Sequence, residues 1–371
     1  MSKAAELAKW GEVSTNGQVS GRRNIVINGA MQVAQRGAST ASVTATGYYT
    51  CDRMNLEISG LGTHTVTQET LTSGGAFSAG FTKAWRVDCT TADASPAAGD
   101  YMVFQQKIEA QNLQQLAFGT SSAKSLTLSF YVKSNKTGTY EIMHFVSDGG
   151  RQVNSTYTIN SANTWEKKTL LIPADTGGTI NTDTGEGWRS LFYLGRGSNR
   201  TGGSTPTSWQ AYAIADEASS QTVNIADNTA NDWAITGYQL EVGSVATPFE
   251  HRSFGEELAL CQRYYQKITT AAASMGLSSA SSYNTAQVNG VIQIVPSMRA
   301  TPSIDIVTVT NGYRYVAAAS NTNFDVLSLE AGSNNSQVLW VKGGLSGLTA
   351  GQAGWLQTTS TSSYMAFKSE L

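Results

Sequence analysis

A segment with strict two-residue alternation, Lys124–Lys133, is the feature that most constrains how this chain can fold. Its apolar side chains point to one side of an extended backbone and the others point to the opposite side: Leu126, Leu128, Phe130 and Val132 against Thr127, Ser129, Tyr131 and Lys133. This pattern predicts a β-strand with one buried face. A turn sequence at 135–138 and a β-rich run, Tyr140–Val146, follow, which predicts that the two strands form a hairpin.

Further β-rich runs recur along the next hundred residues, separated by clusters of Gly, Ser, Thr and Asn. They occupy 165–172, 188–194, 209–214, 222–225 and 233–242. No helical pattern alternates with them, which favours a β-sandwich over a parallel α/β sheet.

Beyond residue 250 the period changes. Leu258, Cys261, Tyr264 and Tyr265 recur at helical spacing after the capping residue Ser253, which predicts a short helix. A Thr/Ala/Ser-rich linker and a second set of short β-rich runs follow. We therefore divide the chain into an arm (1–20), a β-sandwich (21–250), a helix with linker (251–274) and a small β domain (275–371).

The arm is the only strongly helix-prone stretch before residue 250. Leu7 lies on its apolar stripe with Trp10 beside it. A one-sided helix of this length is unstable alone in water, so we predict that it docks on another surface. Leu7 and Trp10 are its candidate anchoring or oligomerisation residues.

Charge excludes several classes of partner. The 371 residues carry 25 basic and 27 acidic side chains, and charged residues make up 14%, against about 25% in typical soluble proteins. No basic face is available for phosphates, so we expect no nucleic-acid binding. The sequence contains no apolar run long enough to insert into a membrane, and the acidic Glu6 argues against a secretory signal.

Cys51, Cys89 and Cys261 are widely spaced, which favours free thiols over one disulfide plus a free thiol.

The sequence offers little catalytic chemistry. It contains three histidines and no HExxH, GxSxG or complete GxGxxG motif, so we expect a protein without enzymatic activity or a cofactor. Asp175, Asp183 and Glu186 lie in Gly-rich loops and are weak candidates for a calcium site. Turn formation explains the same residues equally well.

Aromatic residues beside polar loops are the better candidates for binding. Trp188 and Trp209 each follow a long Gly/Ser/Thr-rich loop, with Tyr193 and Tyr212 close behind them. An exposed aromatic ring flanked by Asn, Gln, Ser and Thr donors suits a sugar. The alternative is that both tryptophans anchor the loops to the sandwich.

Three sequence blocks resemble a family of bacteriophage virion-surface and tail-fibre-like proteins, particularly marine ones. The blocks are Asn24–Met31 with Gln35–Gly37 and Tyr49–Arg53, then Gln239–Gly243 with Thr247–Arg252 and Glu256–Tyr265, then Met298–Ser303. The resemblance implies a jelly-roll of the carbohydrate-binding-module kind, a non-enzymatic virion role and a homotrimer.

These expectations combine into a functional prediction. The chain is expected to be a tail fibre or receptor-binding protein on the virion, made in the host cytoplasm without a signal peptide. Its arm would bind other virion proteins, and its loops or last domain would bind a host surface polysaccharide. A capsid decoration or head-fibre protein is the first alternative, and a free carbohydrate-binding module is the second.

Overall fold

A computed structural model describes residues 22–269, 274–306, 309–318, 320–332 and 334–371. The predicted arm, with Leu7 and Trp10, lies outside the described residues. Contacts divide the chain into a first unit that ends at Glu257 and a second unit, Leu258–Glu370. In the described part of the chain, no helix is long and apolar enough to cross a membrane.

The first unit is a jelly-roll β-sandwich, as predicted from the sequence. Its strands are β1 (Ser39–Val43), β2 (Gly47–Tyr48), β3 (Asn55–Ser59), β4 (Thr63–Thr70), β5 (Lys83–Thr91), β6 (Tyr101–Glu109), β7 (Leu126–Ser134), β8 (Gly138–Val146), β9 (Arg151–Ile159), β10 (Glu166–Ile172), β11 (Glu186–Arg196), β12 (Gln210–Ala211) and β13 (Asp232–Val242). A short helix, α1 (Gly74–Ser78), precedes β5. The first sheet has the order β1-β4-β5-β13-β7-β10, and the second has the order β12-β9-β8-β11-β6-β3-β2.

The main core lies between these two sheets. Because alternate residues of each strand point inward, large rings from both sheets meet there. Trp85 lies 4.8 Å from Phe104, and Phe104 lies 5.6 Å from Phe192, measured between ring centroids. All three rings are buried, and such aromatic pairs add about 0.5–1.5 kcal/mol each beyond area burial.

The predicted hairpin is wrong, although both of its strands exist. β7 pairs with β13 and β10 in the first sheet, whereas β8 pairs with β9 and β11 in the second. The turn between them carries the chain from one sheet to the other. Asn135 fixes this turn to β13, because its side chain accepts a bond from Asp232 N–H at 3.0 Å and donates to the Ala230 carbonyl at 3.1 Å.

The second unit is a small β domain. Its strands are β14 (Tyr265–Thr269), β15 (Gly276–Asn284), β16 (Gln287–Gln293), β17 (Ser303–Asp305), β18 (Tyr313–Ala317), β19 (Ser320–Phe324), β20 (Leu327–Leu329), β21 (Val338–Gly344), β22 (Ala353–Thr358) and β23 (Tyr364–Lys368). Seven of them form a sheet in the order β19-β18-β22-β15-β16-β21-β20, and β14-β23-β17 form another. Because β19 and β20 are consecutive in the chain yet lie at opposite edges, the larger sheet must curl until these edges approach each other. We call this curled sheet the barrel.

The helix α2 (Phe254–Gln262) spans the division between the units. It is shorter than the predicted helical face, since Tyr265 already begins β14. The segment 265–269, which we expected within the helix and linker (251–274), pairs with β23 and so belongs to the second unit. Cys51, Cys89 and Cys261 are all buried, and none of the three is joined in a disulfide.

An ion-pair cluster, here called the Arg252 clamp, joins the start of the first unit to its end. Arg252 lies 3.2 Å from Glu250 and 3.3 Å from Glu257, and its side chain is 5% exposed. Its guanidinium also donates to the carbonyls of Val26, at 3.1 Å, and Asn24. The two carboxylates accept backbone N–H bonds from the segment 23–28. Residues from two of the resemblance blocks therefore meet in one structural clamp.

Candidate functional site

The second sheet of the first unit presents one face to the core and the other away from it. Along β11, Trp188 and Phe192 point into the core, so the alternating Arg189, Leu191 and Tyr193 lie on the opposite side. We call that side the outer face. Leu191 and Tyr193 form a small apolar cluster there with residues of β6 and β8.

A row of polar and aromatic side chains crosses the outer face. The strand register aligns Lys107, Arg189, Phe145 and Gln152 on four neighbouring strands. The Arg189 guanidinium lies 5.1 Å from the centroid of the Phe145 ring, in a cation–π arrangement. This row joins a cation to a half-buried aromatic ring.

Two carboxylates flank Arg189. Glu186 lies 3.3 Å from its Nε and Glu57 lies 3.9 Å from its Nη1. Lys107 lies 3.4 Å from the other oxygen of Glu186. All four side chains are between 18% and 25% exposed, so solvent reaches these charges without covering them.

Glu57 organises the neighbouring part of the outer face. It accepts hydrogen bonds from the Tyr101 hydroxyl at 2.7 Å and from Gln105 Nε2 at 2.5 Å. Partial burial, together with the bond to Glu57, raises the pKa of Tyr101 to about 12. Tyr101 therefore stays a neutral donor, and Glu57 keeps a fixed orientation.

A loop at 197–221 covers one side of the outer face, and Glu217 holds it in place. Glu217 accepts hydrogen bonds from Tyr193 at 2.8 Å and from Tyr212 at 2.5 Å. Arg200 lies 2.6 Å from the same carboxylate and 4.0 Å from the centroid of the Tyr101 ring. The loop is thus fixed to the sheet by charge-assisted bonds, which are among the stronger ones.

Of the four predicted glycan-binding residues, only Tyr212 offers a well-exposed ring. It is 44% exposed and lies 5.5 Å from Phe145 between ring centroids. Tyr193 is buried beneath the loop. Tyr212 and Phe145 together form an aromatic border to the row that contains Arg189.

The prediction of an exposed plate at Trp188 is wrong. Trp188 is fully buried and its indole N–H donates to Ser190 at 3.1 Å. Trp209 is half-buried, donates to the Pro173 carbonyl at 2.7 Å and packs edge-on against Trp188 at 5.6 Å. Both tryptophans therefore anchor loops, as the alternative interpretation stated.

The weak calcium candidates have local partners instead. Asp175 is buried, bonds Arg151 at 2.7 Å and accepts from Gly177 N–H. Asp183 accepts from Gly185 N–H in the same two-residue turn geometry, and Glu186 pairs with cations on the outer face. In the described ranges, no three His, Cys, Asp or Glu side chains form a group that could hold a metal ion.

Two of the histidines are interior residues. His144 lies between Ser190 and Ser155, at 2.9 Å and 3.3 Å, and burial lowers its pKa to about 3. His64 is buried as well, with its ring nitrogen 2.7 Å from the Leu61 carbonyl oxygen. Neither is placed for acid–base chemistry on a bound ligand.

The sequence did not predict four residues of the outer face: Phe145, Arg189, Glu57 and Tyr101. All four lie on strands, at positions that alternate with core residues. The alternation of residues on β8 and β11 could have indicated that Phe145 and Arg189 point away from the core. Alternation within one strand does not show which residues of neighbouring strands share a surface.

No protein-family model and no curated protein matches the sequence. Among solved structures, the chain is similar to the enzymatically active domain of a tailspike protein from bacteriophage CBA120, with TM-score 0.30 and 15% identity over 59% of this chain and 21% of that one. It is similar to a family 4 carbohydrate-binding module, with TM-score 0.27 and 13% identity over 58% of this chain and 97% of that one. It is also similar to a xylan-binding domain from Paenibacillus barcinonensis, with TM-score 0.25 and 10% identity over 61% of this chain and 100% of that one. The chain thus spans about a fifth of the tailspike chain, and the fold assignment above rests on its own sheet topology.

Proposed function

We propose that the first unit binds a glycan on its outer face and that the chain acts as a non-enzymatic attachment protein. The observation that carries the proposal is the exposed Tyr212 ring beside Phe145, next to Arg189 and its two carboxylates. A sugar offers an apolar C–H face to such rings and hydroxyl groups to such charges. Because the charges are held by neighbouring side chains, they would orient a sugar without large rearrangement.

The carboxylates of the outer face suit orientation better than hydrolysis. Glu57, Glu186 and Glu217 each receive a hydrogen bond or an ion pair from a neighbouring cation, amide or hydroxyl. Glycoside hydrolysis commonly requires one carboxyl group that stays protonated beside a second that is ionised. We therefore expect no new reducing ends when the protein is incubated with a polysaccharide that it binds.

We further propose that this protein belongs to a bacteriophage particle, as a trimeric tail fibre or receptor-binding protein. The shared sequence blocks support this role. Several of their residues, Asn24, Glu250 and Arg252 among them, build the clamp that joins the two ends of the jelly-roll. Gold-labelled antibody to residues 275–371 on intact virions tests the role. Label at the tail supports it, label over the head favours a capsid decoration protein, and absence of label favours a free carbohydrate-binding module.

Glycan binding is tested with the full chain by affinity electrophoresis through xylan, galactan, β-glucan and bacterial capsular polysaccharides. For a polymer that retards the protein, Tyr212→Ala should weaken binding roughly three- to tenfold, because it removes one stacking ring. Tyr212→Phe should retain most of the affinity because the ring remains.

Phe77→Ala is the matched control, since Phe77 is 41% exposed but lies on α1, away from the outer face. The proposal would be contradicted if none of the polymers retards the protein, or if Tyr212→Ala binds as tightly as the wild type. An equal loss in Phe77→Ala would also contradict it.

A further inference from the structure

The outside of the second unit's barrel carries an exposed tryptophan. Trp355 on β22 is 47% exposed, while the next residue, Leu356, points into the barrel and is buried. The indole N–H of Trp355 donates to Gln357 Oε1 at 3.2 Å, and Gln357 is itself only 7% exposed. Because residues two apart share one face of a strand, this bond holds the ring along the strand instead of leaving it free.

The strand register places a cation diagonally across from this ring, on the neighbouring strand. Arg314 on β18 lies directly across from Gln357, and Val316 lies directly across from Trp355. On the next strand, Asn323 lies across from Arg314 and accepts a hydrogen bond from its Nε at 2.8 Å. The amide therefore fixes the base of the guanidinium group.

The terminal nitrogens of Arg314 are available. Among the described residues, no carboxylate lies within ion-pair distance of them and no acceptor bonds them. The residues around Trp355 on neighbouring strands are Val316, Ser279 and Asn321, none of which is acidic. This part of the barrel surface thus combines an exposed aromatic ring with an uncompensated positive charge.

We infer that Trp355 and Arg314 form a second glycan-binding surface, one that is selective for sugars bearing a carboxylate, as in acidic polysaccharides. An indole face packs against the apolar side of a sugar ring. The two terminal NH₂ groups of a guanidinium match the two oxygens of a carboxylate. The inference stands on the second unit alone, so it does not depend on the outer face of the first unit.

A matched comparison exists on the same barrel. Trp340 on β21 is 41% exposed, lies across from Val291 and resembles Trp355 in size and exposure. The nearby cation, Lys342, is neutralised by Glu330 at 3.3 Å. Trp340 therefore has an exposed ring whose nearby cation is already paired. The variant Trp340→Ala shows whether binding requires the proposed site or only an exposed indole.

The test uses the full chain in affinity electrophoresis through polygalacturonate, alginate and hyaluronan, each paired with its carboxyl-reduced form. We expect retardation by at least one acidic polymer and little by its reduced counterpart. Arg314→Gln should weaken it about tenfold, as expected for loss of a charged hydrogen bond. Trp355→Ala should weaken it as well, Trp355→Phe less, and Trp340→Ala should not. Retardation should also fall as salt rises, because the site is exposed.

Three results would overturn the inference: no acidic polymer retards the wild type more than Arg314→Gln, the reduced polymers bind equally well, or Trp340→Ala loses as much as Trp355→Ala. Tyr212→Ala in the first unit should leave binding to the acidic polymer intact. Failure of one glycan site is thereby distinguished from failure of the other.

Discussion

Replacing Arg252 with methionine tests whether the Arg252 clamp holds the first unit together. The wild-type guanidinium, 5% exposed, pairs with Glu250 and Glu257 and donates to two backbone carbonyls. Methionine fills much of the same volume, so the main loss is electrostatic. Both carboxylates would remain largely buried without their cation, and two carbonyl oxygens would lose a donor.

The expected cost follows from that environment. Removing one partner of a buried ion pair destabilises a protein by about 3–5 kcal/mol, which is a large share of a typical stability of about 5–15 kcal/mol. For a domain of this size, each kcal/mol lowers Tm by roughly 2–4 °C. We therefore expect Arg252→Met to lower the melting temperature of the first unit by roughly 6–20 °C.

Scanning calorimetry, with hydrogen exchange to assign the transitions, measures this effect. The amides of Asn24 and Asn28, which bond the clamp carboxylates, should lose protection. Arg22→Met is the matched control, because Arg22 pairs with Glu256 at 3.2 Å but is 61% exposed. Exposed pairs contribute about 0–1 kcal/mol. If Arg252→Met shifts Tm no more than Arg22→Met does, the clamp is not a major source of stability.

Three further predictions concern the core, pH and the arm. Trp188→Ala should destabilise the first unit by about 3–5 kcal/mol in urea unfolding, because Trp188 is fully buried; an unchanged midpoint would contradict its anchoring role. The folded-state pKa of His144 lies near 3, below its ordinary value of 6.5. Its contribution to the free energy of unfolding is therefore complete above about pH 6.5 and is lost as pH falls toward 3. His144→Gln should therefore flatten the acid side of the Tm–pH curve, and a profile parallel to the wild type would refute this. Deleting residues 1–20 should leave both melting transitions in place but abolish assembly into virions and, by light scattering, the trimer; normal incorporation would count against an anchoring arm.

The alternation at Lys124–Lys133 predicted a strand and its core-facing side correctly, although Thr127 and Ser129 on the opposite side are buried as well. Leu126, Leu128, Phe130 and Val132 are all fully buried in β7. The strand's partners could not be predicted, because a glycine-containing turn can close a hairpin or carry the chain to another sheet. Asn135 decided the outcome through its bonds to β13, a long-range contact that local sequence does not show.

The candidate site was predictable only in part. Gly-rich loops beside Trp188 and Trp209 suggested exposed rings, but loop composition does not show whether the residue that ends the loop points into the core. Here both indoles find buried or half-buried hydrogen-bond partners. Tyr212, which the sequence offered only as a companion of Trp209, is the one of the four candidates with a well-exposed ring.

Alternation also separates stability from recognition within one strand. On β11, Trp188 and Phe192 build the core, while Arg189, one residue along, belongs to the outer face. On β22, buried Leu356 likewise follows exposed Trp355. Because Arg189 and Trp355 themselves point away from the core, we expect substitutions there to change the proposed sugar preference while leaving the fold nearly as stable. A β-sandwich and a barrel joined in one chain can therefore acquire new ligand preferences by changing alternate residues, with the intervening residues held constant by packing.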